Sequence, residues 1–194
     1  IEKELDMSIS EAFAEFDSSP LASASVAQVH SAKLHTGKNV IIKVLRPDIE
    51  KQIRSDISLL HELARIAEKF WPDARRLRAM AVVAEFEKTT LDELDLVREA
   101  GNATKLRRNF ENSELIYIPE VHWPLTRKKV MVMELCPGGD LKGFLHSQGP
   151  NNRMLWPARL LLAIDVTRGL AFLHRSGVIH RDLKTENILL TANN

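Results

Sequence analysis

Apolar and polar residues alternate along residues 26–45, and the alternation is interrupted once, at the polar residues 35–38. A period of two is typical of β-strands, because successive side chains of a strand point to opposite faces of the sheet. Residues 40–45 are the most strand-like part, since β-branched residues dominate them. The pattern therefore predicts two strands joined by a turn.

Helical periodicity follows directly after these strands. Apolar residues recur at spacings of three and four, which predicts a helix that begins at Pro47 and ends before Pro72; the stripe consists of Ile49, Ile53, Ile57, Leu60, Ala64 and Ala67. A second helix is predicted from about residue 75 to 88 and a third from about residue 90 to 110. Thr90 and Glu93 have the spacing of a capping box for the third helix.

Two further strands are predicted at residues 115–118 and 130–133, joined by a polar turn near Thr126. The Pro-Gly-Gly sequence at residues 137–139 then breaks the chain. A last helix is predicted from Pro157 to Gly177, and because it is apolar on nearly every side, we expect it to be buried. This order of strands, helices, strands and helices favours an α+β fold.

Composition and charge exclude few classes of function. The chain has 194 residues with 44% apolar content, and 27 basic against 26 acidic residues leave a formal charge of +1. Charge therefore predicts neither a nucleic-acid partner nor a membrane surface. The one cysteine, Cys136, excludes an internal disulfide and is compatible with a reducing compartment, cytoplasmic or organellar. No signal peptide or transmembrane segment is predicted, and we expect both ends to have been cut from a longer chain.

Residues 180–187 read His-Arg-Asp-Leu-Lys-Thr-Glu-Asn and resemble the catalytic loop of protein kinases. Phosphoryl transfer requires groups that position and neutralise. The resemblance implies that Asp182 accepts the hydrogen bond of the attacking hydroxyl, Lys184 lies beside the transferred phosphate and Asn187 is an Mg²⁺ ligand. The alternative, a polar loop between a helix and a strand, is disfavoured because chance rarely sets these residue types in register.

Upstream, residues 132–141 resemble the hinge of kinases. The resemblance implies that Met133 is the gatekeeper, that the backbone of Glu134 and of Cys136 binds adenine, and that Asp140 faces the ribose. The alternative is a strand that ends in a Pro-Gly-Gly turn, and it describes these residues equally well.

Alanines stand where ordinary kinases carry the glycines of their phosphate loop. The residues expected at the nucleotide are Ala22, Ser23, Ala24, Ser25 and Val29. An alanine in the left-handed conformation costs roughly 1–2 kcal/mol, so we expect a loop of a different shape from the glycine-rich one. Residues 20–30 resemble instead the alanine-rich loop of UbiB-type atypical kinases, and the resemblance covers about residues 1–133.

That resemblance implies two partners in the nucleotide site. Lys43 binds the α- and β-phosphates and pairs with Glu99, which lies 56 positions further along the chain. An unpaired ammonium within an otherwise apolar strand would be costly, which disfavours a merely solvated Lys43. Glu93 and Asp95 match the E-x-D element of the family, although helix capping explains Glu93 equally well.

The sequence thus predicts an α+β, bilobal protein-kinase-like fold. Residues 1–133 form an N-lobe with an antiparallel sheet and a helical insertion at about 47–88, and residues 134–194 form the hinge and a truncated helical C-lobe. Lys43 and Asp182 are expected to face one nucleotide cleft.

The predicted function is phosphotransfer from Mg-ATP to protein Ser/Thr, with ATP and Mg²⁺ as cofactors. One alternative is a UbiB-type kinase or ATPase that supports isoprenoid-quinone metabolism, with a partner from that pathway. The other alternative is a pseudokinase or nucleotide-binding scaffold. Because no D-F-G element follows Asn187, we expect this chain to phosphorylate proteins inefficiently.

Overall fold

The computed structural model describes residues 1–147 and 155–191. The chain divides into two compact units, the first formed by Ile1–Lys105 and Glu120–Glu134, the second by Leu106–Pro119 and Leu135–Asn194. Strands and helices both occur, so the α+β class is confirmed. Across the described residues, no helix combines the length and the apolar character that a membrane span requires. The predicted division at residue 133 stays a prediction.

An antiparallel sheet of five strands forms the centre of the first unit: β1 (Glu15–Phe16), β2 (Ala22–Ser23), β3 (Ala27–Lys33), β4 (Asn39–Leu45) and β5 (Val130–Glu134). The strand order is β1-β3-β4-β5, and β2 also pairs with β3. Strands β3 and β4 are the two predicted from the alternating pattern, and their turn uses Gly37 at a φ of 87°. A positive φ is accessible to glycine at no steric cost, which suits this residue to the turn.

Alternate residues of β4 contribute to two different cores. Val40 and Ile42 are buried against the short helices α1 (Glu2–Leu5) and α2 (Ile9–Ala12), in the core that contains Phe13. Leu45 belongs to the second core, where it packs with Leu96 and Ala100. Both faces of the strand are therefore covered, which explains why apolar residues occupy almost all of its positions.

Four helices lie between β4 and β5: α3 (Ile49–Phe70), α4 (Pro72–Arg76), α5 (Ala79–Asp92) and α6 (Leu96–Asn109). Helix α3 matches its prediction, and its buried residues Ile57 and Ala64 belong to the predicted stripe. The second predicted helix is two helices in the structure. The break falls at Arg78, whose φ of 53° is left-handed and cannot continue a right-handed helix.

The predicted start of the third helix is wrong. Thr90 lies inside α5, which continues to Asp92, and α6 begins only at Leu96. The reason is burial: Leu94 and Leu96 are 4% and 0% exposed, so packing into the second core bends the chain after Asp92. Tertiary packing overrides the local capping signal here.

The strand predicted at residues 115–118 is also wrong, since the segment has no regular structure. The backbone groups beside β5 are bonded to residues further along the chain: Glu134 N–H donates to the carbonyl of Glu120, and His122 N–H donates to that of Val132, both at 2.8 Å. The carbonyl of Ile118 accepts instead from the guanidinium of Arg107 at 2.6 Å. The edge of β5 is therefore occupied by residues 120–122.

Two longer helices belong to the second unit, α7 (Leu141–Ser147) and α8 (Trp156–Arg175). The prediction that the last helix is buried is wrong, because α8 has no buried residue and Leu161 is 62% exposed. Phe172 packs against Phe110 with ring centroids 5.4 Å apart. An apolar helix is buried only where other elements cover it, and the described residues of this unit cover one side of α8.

The residues after the predicted catalytic loop pair with the Pro-Gly-Gly segment of the same unit. Gly138 N–H donates to the carbonyl of Leu190 at 3.1 Å, and Leu190 N–H donates to that of Gly139 at 2.8 Å. A β-carbon at residue 138 would lie 2.7 Å from the carbonyl oxygen of Leu190. Glycine is required there because two backbones approach each other closely.

Candidate functional site

Lys43 and Glu99 form an ion pair in the first unit. The Lys43 ammonium donates to both carboxylate oxygens of Glu99 at 2.7 Å. Lys43 lies in the middle of β4, on the face that packs against α6, and its side chain is 29% exposed against 43% for Glu99. The structure thus brings together two predicted site residues that are 56 positions apart.

Helix α6 holds Glu99 in place through its own packing and capping. Leu96 and Ala100 are completely buried, and Ala100 is the residue directly after Glu99. The Asp95 carboxylate accepts hydrogen bonds from the N–H groups of Val97 at 3.0 Å and Arg98 at 3.2 Å. Asp95 is therefore the N-cap of α6, and the capping role considered for Glu93 is wrong.

The ion pair lines a cavity of about 620 Å³ in the first unit, bounded by β4, α5 and α6. Glu93 and Lys88 also line it, and so do Arg98 and Asp92, which form an ion pair with each other. Its volume lies in the range of small-molecule sites, roughly 300–1,000 Å³. Its charged lining suits a polar ligand more than an apolar one.

Sequence motifs missed two cations of this cavity, Lys88 and Arg98. Helical spacing could have found the first: Lys88 and Asp92 are four residues apart on α5, so their side chains lie on one face of the helix. Arg98 precedes Glu99 in the sequence, but its pairing with Asp92 depends on the bend between α5 and α6. No local pattern predicts that bend.

The alanine-rich loop forms a hairpin between β2 and β3. Ala22 lies opposite Val29, and Val29 lies opposite Lys43 on the next strand. Directly opposite residues share one face of a sheet, so these three positions form a row on the face of Lys43. Ala22, Ser23, Ala24 and Ser25 are exposed, and none has a positive φ. The loop thus avoids the left-handed conformations that alanine disfavours.

The predicted hinge residues are divided between the two units, with Met133 and Glu134 in the first and Cys136 and Asp140 in the second. Met133 and Glu134 end β5, where the Glu134 carboxylate accepts from the N–H of Glu120 at 3.1 Å. In the second unit Cys136 is buried, and its carbonyl accepts from the N–H of Gly139 at 3.1 Å.

Asp140 follows in the second unit. Its carboxylate accepts from the N–H of Gly143 at 2.7 Å, at the beginning of α7. Asp140 is therefore the N-cap of α7, a role that the hinge resemblance does not imply, and its contact with ribose stays a prediction.

The catalytic-loop residues form one hydrogen-bonded cluster in the second unit. The Asp182 carboxylate accepts from the ammonium of Lys184 at 2.9 Å and from the side-chain amide of Asn187 at 2.8 Å. That amide also donates to the backbone carbonyl of Asp182 at 2.9 Å. Arg181 has a φ of 63° and bends the chain just before the cluster. All three side chains that were predicted to be catalytic therefore meet at one exposed point.

The hydrogen bonds of this cluster change the pKa of Asp182. The hydrogen bond from Lys184, followed by that from Asn187, lowers the pKa of Asp182 below its ordinary value. Hydrogen bonds to the ionised form of a carboxyl group favour that form. An exposed aspartate is ionised at neutral pH even without these bonds, and the bonds extend its anionic state to lower pH. Asp182 can therefore accept a hydrogen bond from a hydroxyl group or contribute to a cation site.

We expect Lys184→Ala to raise the pKa of Asp182 toward the ordinary value, because the main cause of its lowering is removed. Carboxyl carbon shifts in an NMR titration measure this directly. Lys142→Ala is the matched control: Lys142 pairs with Glu186 at 2.9 Å and, as the first cause, lowers the pKa of Glu186 to about 2. That control should raise the pKa of Glu186 and leave Asp182 unchanged; an unchanged Asp182 in Lys184→Ala would contradict the assigned cause.

Comparisons with known proteins place the chain among atypical kinases. The family model of the ABC1 atypical kinase-like domain matches residues 1–194. The match thus includes residues 134–194, whose motifs resemble ordinary kinases.

Curated relatives agree with this match. The probable protein kinase UbiB of Marinobacter nauticus is 47% identical over 100% of this chain and 35% of its own length. The protein of the same description from Pseudomonas paraeruginosa is 56% identical over 71% of this chain and 26% of its own length. The chain therefore spans about a third of the length of the curated relatives that it matches.

A solved structure agrees with the fold. The complex of Rv3197 with erythromycin from Mycobacterium tuberculosis superposes with a TM-score of 0.62 at 23% identity, over 75% of this chain and 36% of the other. At this identity the likeness concerns the fold alone. Together with the match to the ABC1 atypical kinase-like domain, this likeness shows that the α+β fold is of the protein-kinase-like type.

Proposed function

Because the chain belongs to the ABC1 atypical kinase-like family, we propose that it binds Mg-ATP as part of a UbiB-type atypical kinase or ATPase. The family match favours this function, given above as an alternative, over ordinary Ser/Thr protein phosphorylation. The observation that carries the proposal is the Lys43–Glu99 ion pair at the charged cavity. In the whole protein, we propose that the reaction supports isoprenoid-quinone metabolism.

The chemistry of the first unit fits the phosphates of a nucleotide. An ammonium held by a carboxylate through two charge-assisted hydrogen bonds has a defined direction, and such bonds are among the strongest in proteins. Lys43 binds the α- and β-phosphates in this proposal, and Glu99 orients it. In this proposal the loop residues 22–25 and Val29 cover the phosphates, since Ala22 and Val29 lie in one row with Lys43 across the sheet.

The chemistry of the second unit fits a hard cation. Mg²⁺ prefers oxygen ligands and usually keeps several waters beside one or two protein ligands and substrate phosphates. The side-chain nitrogen of Asn187 donates hydrogen bonds to Asp182, so its side-chain oxygen is directed elsewhere. This oxygen is the type of ligand atom that Mg²⁺ prefers. In the described ranges, no group of three or more His, Cys, Asp and Glu residues is arranged around a metal position. We therefore propose that the side-chain oxygen of Asn187 is a ligand of Mg²⁺.

One observation favours protein Ser/Thr phosphorylation as a second candidate. The hydrogen-bonded cluster of Asp182, Lys184 and Asn187 has the groups that the transfer to a hydroxyl group requires. Asp182 accepts the hydrogen bond of the hydroxyl, and Lys184 neutralises charge on the transferred phosphate. Phosphate released to water supports an ATPase, whereas phosphate found on Ser or Thr supports this second candidate.

The experiment that tests the main proposal measures the melting temperature of this chain with and without Mg-ATP, beside the Lys43→Ala variant. Ligand binding to the folded state raises the melting temperature according to its affinity. We expect a rise for the parent chain, a much smaller rise for Lys43→Ala and a loss of the rise when EDTA removes Mg²⁺. Equal shifts in the parent chain and the variant would remove Lys43 from the site. Binding without phosphate release would favour a nucleotide-binding scaffold.

A further inference from the structure

Arg46, a residue outside every motif described above, forms hydrogen bonds with the alanine-rich loop. Arg46 is the first residue after β4 and lies three positions beyond Lys43. Its guanidinium donates from Nε to the backbone carbonyl of Ala24 at 3.0 Å and from Nη2 to the hydroxyl of Ser23 at 2.7 Å. Its backbone N–H donates to the carbonyl of Val26 at 2.9 Å. One residue is therefore bonded to three residues of the loop, Ser23, Ala24 and Val26.

The loop has little other means of keeping its shape. Residues 21–25 are exposed and add no side chain to either core. Within the hairpin, Leu21 N–H donates to the carbonyl of Val29 at 2.8 Å and Ala24 N–H donates to that of Ala27 at 2.9 Å. Strand β3 is held in the sheet by its pairing with β4, but β2 has only two residues and pairs with β3 alone. Bonds from outside the hairpin therefore contribute strongly to its order.

Arginine suits this position better than lysine does. A guanidinium presents five N–H donors in a rigid plane, so it can serve a carbonyl and a hydroxyl at once with defined geometry. A lysine ammonium can reach one of these acceptors, but it does not impose the relative position of both. The two bonds from Arg46 thus fix the Ala24 carbonyl and the Ser23 hydroxyl relative to each other.

We propose that Arg46 is a positioning residue that holds the alanine-rich loop in its phosphate-binding shape before the nucleotide arrives. This inference rests on the proposed function. A glycine-rich loop is flexible and loses conformational entropy when it closes on phosphates. A hairpin of alanines that is already ordered loses less, and pre-organisation of this kind improves affinity. Because Arg46 directly follows the strand that carries Lys43, the same strand positions both the loop and the phosphate-binding ammonium.

Arg46→Ala, Arg46→Lys and the control Arg54→Ala test the proposal. Arg54 is also exposed, but it pairs with Glu50 one helical turn away on α3 and does not contact the loop. The first measurement is hydrogen exchange of the amides of residues 21–27 without nucleotide. We expect about tenfold faster exchange in Arg46→Ala, since hydrogen bonds to or from charged groups contribute about that factor. Arg46→Lys should give an intermediate rate, and Arg54→Ala the parent rate.

The second measurement compares the dissociation constants of Mg-ATP and of adenosine. We expect Arg46→Ala to raise that of Mg-ATP about tenfold and to leave that of adenosine unchanged, because the loop acts on phosphates. A parallel loss for both ligands would overturn the proposal, since it would indicate general damage to the fold. Faster exchange with unchanged Mg-ATP affinity would overturn it too.

The exchange measurement also separates this inference from the proposed function. If the parent chain does not bind Mg-ATP, the proposed function fails, and faster exchange in Arg46→Ala still establishes that Arg46 orders the loop. If the parent chain binds Mg-ATP and exchange in Arg46→Ala is unchanged, the role of Arg46 is wrong and the proposed function stands.

Discussion

Replacing Glu99 with glutamine is expected to weaken Mg-ATP binding by about tenfold to a hundredfold, although Glu99 itself would not contact the phosphates. The Lys43 ammonium donates to both oxygens of this carboxylate at 2.7 Å. Glutamine keeps the size of the side chain but removes its charge and one acceptor. Hydrogen bonds to charged groups contribute about 1.5–3 kcal/mol, and each 1.4 kcal/mol changes affinity tenfold. Lys43 would then no longer be held in one direction.

A double-mutant cycle tests whether Glu99 acts through Lys43. We expect the pair of changes Lys43→Ala and Glu99→Gln to weaken binding no more than Lys43→Ala does alone, because residues of one interaction are not additive. Isothermal titration with Mg-ATP gives the four dissociation constants. Glu120→Gln is the control, since Glu120 forms an exposed ion pair with Lys38 at 3.4 Å, outside the strands of the sheet. Effects that simply add would contradict the coupling.

The sheet and its lysine could be predicted because their signals are local. The alternation in residues 26–45 gives two strands, and the structure has β3 and β4 there with the predicted turn between them. Lys43 was singled out because a charge within an apolar strand requires a partner. Its partner could be named only through the resemblance to a family, since a separation of 56 residues has no local signature.

The bends of the helical segment could not be predicted for the opposite reason. Thr90 and Asp95 both precede helical residues, and four-residue patterns cannot decide which one is the cap. The decision is made by Leu94 and Leu96, which are buried in the second core. Likewise the break at Arg78 depends on a left-handed residue that carries no glycine or asparagine signal.

The exposure of α8 shows a third limit of prediction from sequence. Periodicity states which faces of a helix are apolar, but it does not state what covers them. Leu160, Leu161 and Ile164 are exposed in the structure although their pattern is that of a buried helix. The motif predicted the members of the Asp182 cluster but not the hydrogen bonds among them, and the positive φ of Arg181 just before the cluster has no glycine or asparagine signal in the sequence.

Replacing Ile42 with alanine is expected to destabilise the first unit by about 2–5 kcal/mol, the range for removing a large aliphatic side chain from a core. Ile42 is 0% exposed in the centre of β4, where Val132 of β5 lies directly opposite and Phe13 belongs to the same core. Such a loss is a large share of the 5–15 kcal/mol that stabilises a typical domain.

Urea denaturation followed by circular dichroism measures the change of Ile42→Ala as a lower midpoint at an unchanged slope. Ile41→Ala is the matched control, because Ile41 is the same residue type on the same strand, points to the opposite face and is only half-buried. We expect the control to lose clearly less stability, since less apolar surface returns to water. Equal losses at the two positions would contradict the expectation that the deeper burial of Ile42 makes its side chain the more stabilising of the two.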